Sequence, residues 1–131
     1  MKKYLLACPF LFVFSAVSAQ KNNVQNAYEI LNYDVQNHTP AHVQFQISEK
    51  VQPQHLDTWI IDKLHANKDF TLKAIDSNID IGGNKHIRYR QYYKGIVVDG
   101  GTINLHCKGG KPYSFNGVYY PSLELDLSIN I

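Results

Sequence analysis

From residue 42 onward, hydrophobic positions recur at two different periods. His42 to Ile47 alternates, with Val43, Phe45 and Ile47 on one side and His42, Gln44 and Gln46 on the other, which predicts a half-buried strand. Pro53 suits the first turn of a helix, where its missing N–H costs nothing. Leu56, Trp59, Ile60 and Leu64 then follow at helical spacing and form one apolar stripe. Asp57 near the start, with Lys63 and His65 near the end, agrees with the helix dipole, and Asn67 is the expected stop. Trp59, on that stripe, should be buried where the helix meets a sheet.

Everything after Phe70 alternates at period two. Phe70, Leu72 and Ala74 oppose Thr71, Lys73 and Ile75, and Ile79 to Asn84 reads as a turn. In the next strand Ile87, Tyr89, Gln91 and Tyr93 face one way, and His86, Arg88, Arg90 and Tyr92 the other. Lys94-Gly95 turns into Ile96-Val97-Val98, and Gly100-Gly101 marks a bulge or a close backbone approach. Ile103, Leu105 and Cys107 alternate with Thr102, Asn104 and His106 before a hairpin turn at Gly109-Gly110. Asn116-Gly117 is the strongest short turn signal and predicts a hairpin between Phe115 and a last strand, Val118 to Tyr120. One helix on an antiparallel hairpin meander is an α+β domain.

The ends of the chain differ from this middle. Lys2-Lys3, the apolar run Tyr4 to Phe14 and the small residues Val17-Ser18-Ala19 form the pattern of a secretory signal peptide over residues 1–19. Cys8 sits too close to Lys3, with too little apolar sequence between them, to be a lipoprotein acylation site; the expected mature start is Gln20. Residues 20–38 are polar and Asn/Gln-rich, and read as a flexible segment with at most one weak helical turn. Order is expected over 39–122, followed by a linker stub at 123–131.

Charge changes the picture only through the leader. The chain has 13 Lys and Arg against 11 acids, a net charge of +2. Removing residues 1–19 takes Lys2 and Lys3 with it, so the mature chain is neutral and offers no electrostatic case for nucleic acid. No later apolar run approaches the ~20 residues of a membrane span, so no membrane anchor is expected. The expected location is secreted, extracellular or periplasmic. With Cys8 removed, Cys107 is the one remaining cysteine and reads as a buried, inert thiol.

No complete catalytic set can be assembled, and neither a metal site nor a cofactor is expected. His38 and His42 have the spacing of a helical zinc pair, but Pro40 lies between them. His55 and His65, ten residues apart, project from well-separated faces of the helix. His86 and His106 could meet across paired strands, but two ligands do not make a site without a third. Solvated or locally hydrogen-bonded histidines are the expectation. Arg88, Arg90 and Lys94 interleaved with Tyr89, Tyr92 and Tyr93 match a stacking platform for single strands, or equally a sheet with aromatic cross-strand pairs; neutrality and export favour the sheet.

The run His86 to His106 resembles the fungalysin/thermolysin propeptide domain of secreted zinc metalloproteases. Its Arg-x-x-Gln-x-Tyr-x-Gly-x-x-Val pattern, followed by Gly-Gly and later Asn-Gly, is carried here by Arg88, Gln91, Tyr93, Gly95, Val98, Gly100, Gly101, Asn116 and Gly117. The resemblance covers roughly Thr39 to Ile131, and Thr39-Pro40 before a strand and the helix ending His65-Ala-Asn-Lys-Asp-Phe70 also look like the family's start. It implies a non-catalytic domain that binds a thermolysin-like catalytic domain, in cis or in trans, as folding chaperone and inhibitor without a cofactor. A family proenzyme continues into a second prodomain and a catalytic domain bearing His-Glu-x-x-His, and this sequence contains neither. A truncated proenzyme, a free-standing inhibitor acting in trans and an adhesion or ligand-binding module using the tyrosine-rich sheet therefore stay open. Arg88 and Gln91 should point to opposite faces, so at most one of them lines any given surface.

Overall fold

A computed structural model describes residues 26–123; the leader, the mature start at Gln20 and most of the 123–131 stub lie outside them. Six strands form one antiparallel sheet, β1 Tyr28–Tyr33, β2 Pro40–Phe45, β3 Phe70–Ile79, β4 Lys85–Tyr93, β5 Ile96–Lys108 and β6 Lys111–Val118. Their spatial order is β1-β2-β6-β5-β4-β3. A 3-10 turn at Pro53–His55 leads into the single helix α1, Leu56–Leu64, within the connection that carries the chain from β2 to the far edge at β3. The architecture is α+β, as the alternation predicts.

The helical stripe and the strand alternation meet in one core. Leu56, Trp59 and Ile60 are buried on α1, facing Val43 and Phe45 of β2, Ile87 and Tyr89 of β4, Ile103, Leu105 and Cys107 of β5, and Phe115 of β6. Trp59 is the hub. Its ring packs edge-on against Phe45, Tyr28 and Phe115 with centroids 4.9, 5.3 and 6.3 Å away. Its Nε1–H donates to Glu49 Oε1 at 2.8 Å, so the indole buries its ring without orphaning its donor. Asp57, near the helix start, accepts the Leu72 N–H through Oδ2 at 3.3 Å, which joins the helix to the edge strand β3. Tyr89 Oη donates to the Pro53 carbonyl at 2.8 Å and fastens the 3-10 turn to β4.

Five local expectations are corrected. Residues 20–38 are not uniformly irregular, because Tyr28–Tyr33 pairs with β2 as an edge strand. Tyr28 and Ile30 pack against the core and Tyr28 Oη donates to the Lys63 carbonyl, so a few apolar residues suffice once an aromatic cluster exists to receive them. Ile47 leaves the strand pattern and is exposed, because the chain turns after Phe45 with Glu49 N–H donating to the Gln46 carbonyl. The helix stops at His65, in the left-handed conformation (φ 59°), before Asn67. Asn67 instead turns the chain into β3, accepting from the Asp69 and Phe70 N–H groups. Asn116-Gly117 makes no turn and lies within β6, and the expected strand Val118 to Tyr120 is only the end of β6 followed by an irregular segment.

Substituting Trp59→Ala should lower stability by about 3–5 kcal/mol, measured by urea denaturation, because it empties the centre of the aromatic cluster. Alkali should also unfold the domain through Tyr89, whose hydroxyl is pushed up from 10.0 to about 12 by burial first and by nearby Cys107 and Asp57. Since folding raises this value, the tyrosine's contribution is whole below pH 10 and is lost as pH climbs towards 12. Circular dichroism should therefore report a loss of stability in that range, and Tyr89→Phe should lessen it.

Candidate functional site

The nine motif positions divide between the two faces of the sheet. Gln91 is fully buried and Tyr93 nearly so, on the core side of β4; Arg88, exposed, is on the open side. There its Nε–H donates to Asn104 Oδ1 at 3.4 Å. Lys94 and Gly95, with φ of 47° and 78°, form the two-residue turn between β4 and β5, the geometry that needs positive φ at both centres. Val98 is half-buried beside it, and Asn116 is half-buried on the open face. Motif spacing alone does not separate these environments; strand parity does.

Around Gln91 the motif forms a clamp. Arg90 pairs with Thr102 but Tyr92 pairs with Val97, so Val98 to Gly101 all stand opposite the single Gln91. The bulge brings Gly101 against Gln91, where an added Cβ would sit 2.8 Å from both Cβ and Oε1 of the glutamine. That space lets the Gln91 amide reach the chain after β6. Its Nε2 donates to the Tyr120 carbonyl at 2.8 Å and its Oε1 accepts the Tyr120 N–H at 2.9 Å. A buried amide with both ends satisfied by one residue's backbone imitates a strand pair and holds that segment in place. Held there, Tyr119 is buried against Phe70, centroids 5.8 Å apart, and burial pushes its hydroxyl up. Asn67 N–H donates to the Pro121 carbonyl at 2.6 Å, tying the same segment to the start of β3.

Gly117 meets a harder constraint. With φ 147°, a Cβ there would collide with the Thr102 carbonyl oxygen and lie 2.9 Å from Ile103 Cα, both on β5. The Asn-Gly pair is therefore a close crossing of two backbones.

The open face is polar. His86 and His106 stand directly opposite one another on β4 and β5. Their Nδ1 atoms are 2.6 Å apart; His86 Nε2 lies 2.9 Å from Asp80 Oδ2 and His106 Nε2 lies 2.5 Å from Asn116 Oδ1. These two histidines are thus locally hydrogen-bonded, and a four-residue chain runs from the β3–β4 turn to β6. Asp80 is held down to about 2, chiefly by His86 and then by the Asn84 N–H. Asp76, Arg88 and Asn104 join these rings around a shallow depression of about 250 Å³. The pairing of His86 with His106 was legible from strand parity; Asp80 and Asn116 were not, because their reach depends on the turn geometry and on β6 continuing straight through Asn116.

Cys107 faces the core behind His106, and burial pushes its thiol up, so it is no nucleophile for the neighbouring imidazole. Among the described residues, no group of three or more His, Cys, Asp or Glu side chains converges as a metal site. Nor is any described helix long and apolar enough to cross a membrane.

The family model described as the Fungalysin/Thermolysin Propeptide Motif matches residues 70–119. Over these residues the chain is similar to that propeptide motif. This propeptide motif is the meander β3–β6 together with Tyr119, and it contains all nine motif residues. The family so described is a propeptide family, not a catalytic one. Within it, Gln91, Gly101 and Gly117 are occupied in holding the meander together, while Arg88 is the motif side chain most open to solvent.

Gln91→Leu should cost roughly 2 kcal/mol, since it strips both partners from the Tyr120 backbone. Of the glycines, Gly117→Ala should be more damaging than Gly101→Ala, because the first collides with backbone and the second with a side chain. Denaturant midpoints of the three variants check both statements.

Proposed function

We propose that this chain is a non-catalytic, secreted propeptide-type domain that associates with a thermolysin-like metalloprotease catalytic domain, assisting its folding and restraining its activity. The propeptide motif at residues 70–119 carries this reading. The fold supports it in a second way. Since the clamp residues are spent internally, the open sheet face around Arg88 and Asn104 is the surface of the motif available to a partner. That face offers a guanidinium, amides and imidazoles, suited to a polar contact with carbonyl and carboxylate groups. The domain needs no cofactor for such binding, and it acts in cis within a proenzyme or in trans as a separate chain.

Titration of the purified chain against a thermolysin-like catalytic domain tests this, reading complex formation, recovery of activity on refolding and residual peptidase activity. The chain alone should hydrolyse no peptide. It should raise refolding yield, and Arg88→Ala should retain the wild-type circular dichroism spectrum while losing about tenfold in affinity, or ~1.4 kcal/mol. A wild-type chain that neither binds nor assists the catalytic domain removes the reading and favours an adhesion or ligand-binding module.

A further inference from the structure

The two halves of the edge strand β3 are closed differently. Phe70 N–H donates to the Asn67 carbonyl at 3.0 Å and Leu72 N–H donates to Asp57 Oδ2 at 3.3 Å. The core-facing residues of β3 thus aim their N–H groups away from β4. After the bulge at Ile75 the core side passes to Ser77, which stands opposite Ile87. By the same parity Ala74 and Ser77 aim their N–H groups outward, and among the described residues neither has an acceptor. Beside them lies the groove of about 500 Å³ lined by Leu72, Ala74, Ile87 and Tyr89. Free ladder positions next to an apolar groove are what an added strand recognises.

The chain's own sequence supplies such a strand at the right place. β6 runs opposite to β3, so it ends at the end of the sheet where β3 begins. There Tyr119 is buried against Phe70, and the Pro121 carbonyl accepts the Asn67 N–H at 2.6 Å, just ahead of β3. Leu123 is half-buried after the exposed Ser122. The sequence goes on as Leu123-Glu-Leu-Asp-Leu-Ser-Ile-Asn-Ile131, with five apolar residues in strict alternation with four polar ones. That is the pattern of a strand with one face buried. Nine extended residues cover about 30 Å, and the path from Phe70 to Ser77 is about 26 Å, so the segment is long enough to pass Ala74 and reach Ser77.

We propose that residues 123–131 dock along β3 as a seventh strand, parallel to it, with their alternate leucines and isoleucines over the groove. The parallel direction follows from the starting point, because the segment leaves Asn67 at the end of the sheet from which β3 itself sets out. It passes the half of β3 that Asp57 closes and pairs with the half that is open. Glu124, Asp126, Ser128 and Asn130 then stay on the solvent side. The proposal does not depend on the propeptide reading.

Amide hydrogen exchange on the full chain, read residue by residue by NMR, tests this without any protease. Ala74 and Ser77 N–H should exchange at least about tenfold more slowly than an open edge allows. Leu125→Lys together with Leu127→Lys should return both to the open rate, while the amides of Ile103 and Leu105 in the core stay as slow as before. Free exchange of Ala74 and Ser77 in the wild type overturns the proposal. So does protection that survives the double substitution. Protection lost on dilution, in step with a dimer-to-monomer change in sedimentation, assigns the edge to a second copy and overturns it as well. If the doubly substituted chain unfolds, nuclear Overhauser contacts in the wild type decide. Contacts from the Leu125 or Leu127 methyls to the Ala74 methyl or the Tyr89 ring uphold the docking, and their absence overturns it.

Discussion

One short helix has to cover one face of a six-stranded sheet, and much of the structure follows from that mismatch. Nine residues of α1 span about 13 Å, whereas six strands extend about 24 Å across. Side chains must complete the cover. On the β1–β2 side the Trp59 indole reaches over Phe45 and Phe115 to Tyr28. On the β3 side Tyr119 fills in against Phe70, from a segment that belongs to neither helix nor strand. Between β3, β4 and the 3-10 turn, a groove of about 500 Å³ lined by Pro53, Leu72, Ala74 and Tyr89 stays open.

That requirement explains why the propeptide motif is rich in glycine and carries a buried glutamine. Tyr119 is useful only if the irregular chain around it is pinned, and an irregular chain has no strand neighbour to pin it. Gln91 supplies the missing ladder from its side chain, and Gly101 supplies the space that the side chain occupies. Gly117 meets a related demand on β6, where two backbones approach too closely for a Cβ. The same strands turn their other residues outward, so a meander locked from the core side leaves Arg88, Asn104 and the linked imidazoles free on the open face.

The elements legible in the sequence are those set by short-range periodicity. Alternation alone placed β2, β3, β4 and most of β5, and put Tyr89 and Gln91 on one face and Arg88 on the other, because strand parity is a local property. The helical stripe placed α1 and the burial of Trp59 for the same reason. Strand parity likewise brought His86 and His106 to one face.

What only the tertiary structure decided is where local preference yields to a neighbour. Asn116-Gly117 has the local chemistry of a turn but runs straight, since pairing with His42 on one side and with Asn104 and Ile103 on the other outweighs it. Tyr28–Tyr33 is a short run within a polar, Asn/Gln-rich stretch, and becomes a strand because β2 pairs with it and the aromatic cluster around Trp59 accepts Tyr28. The partnership of Gln91 with Tyr120 spans 29 residues and leaves no periodic trace. Sequence determined which side chains of a strand share a face; the closing of the sheet determined which face is buried and which side chains meet, because contact between distant strands depends on register and no local pattern encodes it.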